Sequence, residues 1–121
     1  MLNRLFKKRK KTFKCKEGEL YTIPNKGQYG IIKILKVKPK GIHVCMYSNL
    51  YFDKPSNIDE GQLFINTTSK NNNSALVGIC HSPLTHVNIK RWNPEFLQKS
   101  IVEEHELEGY YMWENSNQHY V

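Results

Sequence analysis

The tightest constraint on this chain is the stretch 19–52, where apolar and polar side chains alternate with a period of two and turn signals break the run twice. Leu20, Tyr21, Thr22 and Ile23 suit a pleated, half-buried strand that Pro24 ends, and Asn25-Lys26-Gly27 supplies a turn. Residues 29–37 form a second strand with a bulge: Ile32 and Ile34 share one side, Ile31, Leu35 and Val37 the other, and Lys33, Lys36 and Lys38 are interspersed. After a second turn at Pro39-Lys40-Gly41, Ile42, Val44 and Met46 alternate with His43, Cys45 and Tyr47 in a third strand that runs towards Phe52. Three consecutive strands joined by short turns make an antiparallel meander.

Beyond it the pattern loosens. Residues 53–61 read as a loop, 62–67 as a candidate strand, and 69–74 (Ser-Lys-Asn-Asn-Asn-Ser) as a surface loop too poor in apolar groups to pack. Residues 75–80 are apolar enough for a central strand, which Ser82-Pro83 stops. In the last third, Trp92, Phe96, Leu97, Ile101 and Val102 are core candidates. Leu107, Tyr110 and Tyr111 recur at helical spacing with Trp113 at the edge of that face. Glu104 and Glu106 fall in the first turn, where the helix dipole favours anions, while Gly109 costs about 1 kcal/mol relative to Ala. The expected fold is mainly β (α+β): a curved antiparallel sheet, or a small partly open barrel, of about five or six strands with a C-terminal helix. No segment repeats at solenoid or propeller periods.

At 121 residues the chain holds one domain, and 39% hydrophobic with 24% charged residues excludes fully disordered, collagen-like and multi-span membrane classes. The formal charge of +7 is unevenly placed. Arg4, Lys7, Lys8, Arg9, Lys10, Lys11 and Lys14 stand without one acidic residue in 1–14, so 15–121 carries 11 basic residues against 11 acidic. Residues 1–14 therefore read as a flexible basic arm, with Leu2, Leu5 and Phe6 at helical spacing, and 15–121 as a single neutral body. The arm suits a solubilising tail, a phosphate clamp, a membrane-surface tether or a nuclear import signal. No transmembrane run and no secretory h-region are present, which points to the cytoplasm, and the odd count of cysteines (Cys15, Cys45, Cys80) points to reduced thiols.

The chemistry-bearing residues assemble no catalytic frame. Cys80-His81 with His86 is the nearest approach to a cluster, but zinc sites bring ligands in closely spaced pairs. The plain reading is a small buried cysteine ending a strand, beside turn histidines. Glu103, Glu104, Glu106 and Glu108 are a solvated helix rim or a protein-binding surface rather than an acid/base pair, which needs two converging, unlike environments. Gly27-Gln28-Tyr29-Gly30 fits a hairpin and no phosphate cradle. Tyr21, Tyr29, Tyr47 and Tyr51 beside lysines would stack bases if exposed, although aromatic residues on strands usually serve the core. The expectation is a non-enzyme with no cofactor and no metal.

Two ends of the chain resemble one family. Gly18-Glu19-Leu20-Tyr21-Thr22-Ile23-Pro24 followed by Gly27-Gln28-Tyr29-Gly30 is similar to the opening of the bacterial immunity protein 26 family. Glu106-Leu107-Glu108-Gly109-Tyr110-Tyr111-Met112-Trp113 resembles its closing segment, with Pro83-Leu84 and Trp92-Asn93-Pro94 in compatible order between them. The resemblance spans about 14–115 and departs at Glu19, where the family pattern has Asp after the glycine and the longer side chain would lengthen any turn or cap. It implies a largely β domain that binds and neutralises a cognate toxin of a bacterial polymorphic toxin system, without catalysis. If the toxin is a nuclease, carboxylates can cover its phosphate-holding site, and Glu103, Glu104, Glu106 and Glu108 flanked by Tyr110 and Trp113 are the expected contacts. The alternative is a small cytosolic β-barrel that binds nucleic acid through Arg4, Lys7, Lys8, Arg9, Lys10 and Lys11, joined by Lys33, Lys36, Lys38 and Lys40.

Overall fold

The computed structural model describes residues 12–66, 77–116 and 118–121. Strand β1 (Leu20–Asn25) turns into β2 (Gln28–Lys38) through Lys26 and Gly27, whose φ angles of 52° and 84° belong to the mirror-image turn that matches strand twist. Pro39-Lys40 connects β2 to β3 (Gly41–Met46), so the expected meander is present. Strand β4 (Ile79–Leu84) pairs with β3, and β5 (Glu95–Gln98) returns to the far side of β1. The order β4-β3-β2-β1-β5 is antiparallel throughout and stays an open sheet, not a barrel. Helix α1 (His86–Arg91) joins β4 to β5, and after a 3-10 turn at Glu104–Leu107 the chain enters α2 (Glu108–Glu114).

Period-two alternation buries both faces of the sheet. Leu20, Ile31, Leu35, Cys45, Tyr47 and Leu97 point to one face, which Leu107 and Tyr110 cover together with Tyr51, Ile58, Leu63 and Ile65 from the long β3–β4 connection. Tyr21, Ile23, Ile32, Ile34, Ile42, Val44 and Leu84 point to the other, closed by Ile89 and Trp92 and by Phe13 and Cys15 near the start of the body. Phe13, placed in the arm on charge grounds, stacks edge-on against Tyr21 at 5.3 Å. The bulge lies at Leu35: Ile34 faces Val44, and Lys36 then faces His43. It reverses the alternation, so Val37 joins Ile32 and Ile34 rather than Ile31 and Leu35, and Lys36 and Lys38 swing to the α2 side.

Other expectations are corrected. Residues 62–66 form no strand; a 3-10 turn at Glu60–Gln62 leads into an irregular segment, and 67–76 lie outside the described residues. The strand expected at 75–80 begins at Ile79, runs through Pro83 and sits at the sheet edge, not its centre. Proline is tolerated because the Pro83 carbonyl accepts from Val121 (2.8 Å) on the outer side, so its nitrogen also faces away from β3. Thr85 caps α1 by accepting from the Asn88 amide, making a helix where a turn was expected. Phe96 and Ile101 are 53% and 70% exposed rather than core. At the departure from the family pattern, Glu19 accepts from Lys16 N (2.8 Å) and the Tyr21 hydroxyl (2.9 Å), closing the turn itself. Gly18, at φ 91°, lies so close to the Ser100 carbonyl that a side chain would collide with it.

Candidate functional site

The acidic segment divides in two. In the 3-10 turn the Glu103 amide donates to Glu106 Oε1 (2.8 Å), which turns the Glu106 carboxylate inward over β2. There it meets Lys33 Nζ at 3.0 Å, and Glu60 reaches the same ammonium at 2.7 Å. Lys33 is 1% exposed, because it occupies the inward position between Ile31 and Leu35. Burial alone would push its ammonium down in pKa, but hydrogen bonds and charge from Glu60 and Glu106 outweigh that and hold it above its usual range. The Glu60 carboxyl is likewise held low: Lys33, and Ser100 bonded to Glu60, overcome its own desolvation. Lys33 is therefore unavailable to a nucleic acid, and Glu106 is spent inside the fold.

Tyr110 is buried and Trp113 half-buried, so neither is a surface anchor. Both pack on His43, with ring centroids at 4.8 and 4.5 Å. His43 is 0% exposed and stands in a polar chain: Nδ1 is 2.8 Å from His81 Nε2, and Nε2 is 2.8 Å from the Tyr120 hydroxyl. Desolvation foremost, then His81, Lys38 and Lys36, pushes the His43 imidazole down to about 4, and burial lowers His81 as well. Gly109 permits this packing, since a β-carbon there would come within 2.7 Å of His81 Cβ. Lys36 and Lys38 lie 5.6 and 5.7 Å from the Tyr110 ring centre, at cation–π distance. His43 itself meets no solvent, and both of its ring nitrogens are taken up by His81 and Tyr120, which are themselves partly exposed.

What remains on the outside is Glu103, Glu104 and Glu108, all exposed, with Tyr111 at 39% and Met112 at 69% exposure and Ile101 at their N-terminal end. Tyr111, expected on the inner face, points outward and donates to Glu104 Oε2 at 3.1 Å. The six basic arm residues Arg4, Lys7, Lys8, Arg9, Lys10 and Lys11 lie outside the described residues. Tyr21 and Tyr47 are buried, so two of the four tyrosines offered as a stacking platform belong to the cores.

The histidine and cysteine cluster also disperses. His81 faces His43, whereas His86 Nε2 donates to the Lys38 carbonyl (3.0 Å), leaving its buried Nδ1 without a partner. Cys80 is exposed rather than a buried strand end. Among the described residues no three His, Cys, Asp or Glu side chains converge on a metal position. His43 and Lys33 were missed as buried polar centres because each looks like one polar interruption of a strand. Their in-facing register was the available signal. Nothing in the sequence marks Tyr120. No protein-family model, curated protein or solved structure matches the chain.

Proposed function

We propose that this chain is a non-catalytic binding protein of the immunity class, acting in the cytoplasm, which neutralises a cognate bacterial toxin through the outward side of the 101–112 segment. The observation that carries the reading is the division of labour in that segment. Leu107, Tyr110 and Trp113 are committed to the sheet, while Glu103, Glu104 and Glu108 stand in solvent beside exposed Tyr111, Met112 and Ile101. Carboxylates around aromatic and Met side chains are the composition of an interface rather than of a plain solvated rim. Their charge complements a basic surface such as a nuclease's phosphate-holding site. The resemblance of both chain ends to the immunity protein 26 family supports the same reading.

Growth of a bacterium expressing the toxin encoded by a neighbouring gene, with and without this protein, tests it. Rescue and a stable complex of the two purified proteins are expected, and the double reversal Glu104→Lys with Glu108→Lys should slow association about tenfold or more. Failure to rescue against any neighbouring toxin refutes the immunity reading, and an unchanged on-rate and affinity in the reversal variant removes this face. Deleting residues 1–11, which removes Arg4, Lys7, Lys8, Arg9, Lys10 and Lys11 and spares Phe13, should leave neutralisation intact. A nucleic-acid binder would instead lose affinity on that deletion and show a steep salt dependence beforehand.

A further inference from the structure

The β3–β4 pairing is irregular at one point. Val44 faces Ser82 and Met46 faces Ile79, so Cys45 alone stands opposite both Cys80 and His81. Regularly opposed residues of antiparallel strands have Cα atoms about 4.5–5.5 Å apart and a disulfide spans about 4.4–6.8 Å, so residues facing each other across a bulge on neighbouring strands are candidates for a bridge. The two cysteines line the same cavity of about 270 Å³, together with Tyr47, Ile65, His105 and Glu106. They differ in access: Cys80 is exposed, and Cys45 is buried in the core beneath α2. Cys15, the third thiol, packs against the opposite face of the sheet.

We propose that Cys80 and Cys45 are a peroxide-responsive pair, in which Cys80 is oxidised first and Cys45 resolves it into an intramolecular disulfide that staples edge strand β4 to β3. The Cys80 thiolate attacks a hydroperoxide oxygen and the O–O bond breaks. The leaving hydroxide takes a proton to become water, and Cys80 becomes the sulfenic acid. Cys45 Sγ then attacks Cys80 Sγ, the S–O bond breaks, and the departing hydroxyl leaves as water with the Cys45 proton. Two thiols have lost two electrons in all, and hydrogen peroxide has been reduced to two waters. The order follows from exposure, and burial reinforces it by pushing the Cys45 thiol up to about 12, which keeps that sulfur from reacting first.

The test treats the reduced, purified full chain with a small excess of hydrogen peroxide, blocks remaining thiols with N-ethylmaleimide after unfolding, and reads intact mass and linked peptides. The expected product has lost the mass of two hydrogens, takes up one maleimide instead of three, and yields a peptide pair joined through Cys45 and Cys80. Cys15→Ser should form the same bond. Cys80→Ser, which alters only an exposed side chain, should retain both remaining thiols through the same treatment. Oxygen added at Cys80 while Cys45 stays fully alkylatable overturns the proposal. A bond through Cys15, or disulfide-linked dimers as the main product, overturns it equally.

Discussion

Mild acid should destabilise this protein measurably through His43. The imidazole is fully buried against Tyr110, Trp113, Tyr120 and His81, with Lys36 and Lys38 nearby, and its pKa falls from 6.5 to about 4. The native state therefore prefers the neutral ring, whereas the unfolded chain takes up a proton near the ordinary value. Above about pH 6.5 the contribution is fully present; it drains away as the pH falls through about 4, because the unfolded state then binds one more proton. A shift of about 2.5 units corresponds to about 3 kcal/mol, of which about 2.5 kcal/mol is lost by pH of about 4.5. That is a large share of the roughly 5–15 kcal/mol that holds a domain together. Urea unfolding followed by the fluorescence of Trp92 and Trp113, at pH of about 7.5 and about 4.5, measures it in the wild type and in His43→Gln. The variant keeps polar atoms for Tyr120 and His81 but cannot titrate. The wild type should lose about 2.5 kcal/mol more than the variant between the two pH values. Equal losses, or an NMR titration of His43 with its midpoint near 6.5, would refute the reasoning.

Two further outcomes follow from the packing. Glu106→Gln keeps the shape of the side chain but withdraws one of the two carboxylates from buried Lys33, and should cost about 3 kcal/mol in urea or thermal unfolding; a neutral result would show that Glu60 alone satisfies the ammonium. Gly109→Ala should destabilise by about 1–2 kcal/mol although alanine is the better helix former, because the new methyl group meets His81 Cβ at 2.7 Å. A more stable variant would mean that His81 can move aside without loss.

The meander was readable because alternation and turn chemistry act over two to six residues. Gly27, at φ 84°, supplies the freedom its turn needs, Pro39-Lys40 connect β2 to β3 as expected, and Ile42, Val44 and Met46 oppose His43, Cys45 and Tyr47 as their spacing requires. A bulge somewhere in 29–37 was expected, but neither its place at Leu35 nor its effect on Val37 was, since the side to which a bulge returns the strand depends on the partner's register. β4 was misplaced for a related reason. Pro83 reads as a terminator, yet an edge strand whose outer side receives the chain's last residue needs no amide there. In the candidate site, the acidic run was visible as charge, but its division into an outward set and an inward Glu106 was not. That division rests on Lys33, which lies 73 residues away in the chain.

Sequence alone therefore determined the mainly β character, the three-strand core and the concentration of acidic groups near residue 105, all of which arise from local periodicity and local charge. Tertiary structure decided which polar residues are structural. His43 is bound by Tyr120 from the far end of the chain, and Lys33 by Glu60 and Glu106 from two separate connections. A buried polar group is stable only when partners arrive with matching geometry, and such partners come from distant elements whose meeting no local pattern encodes.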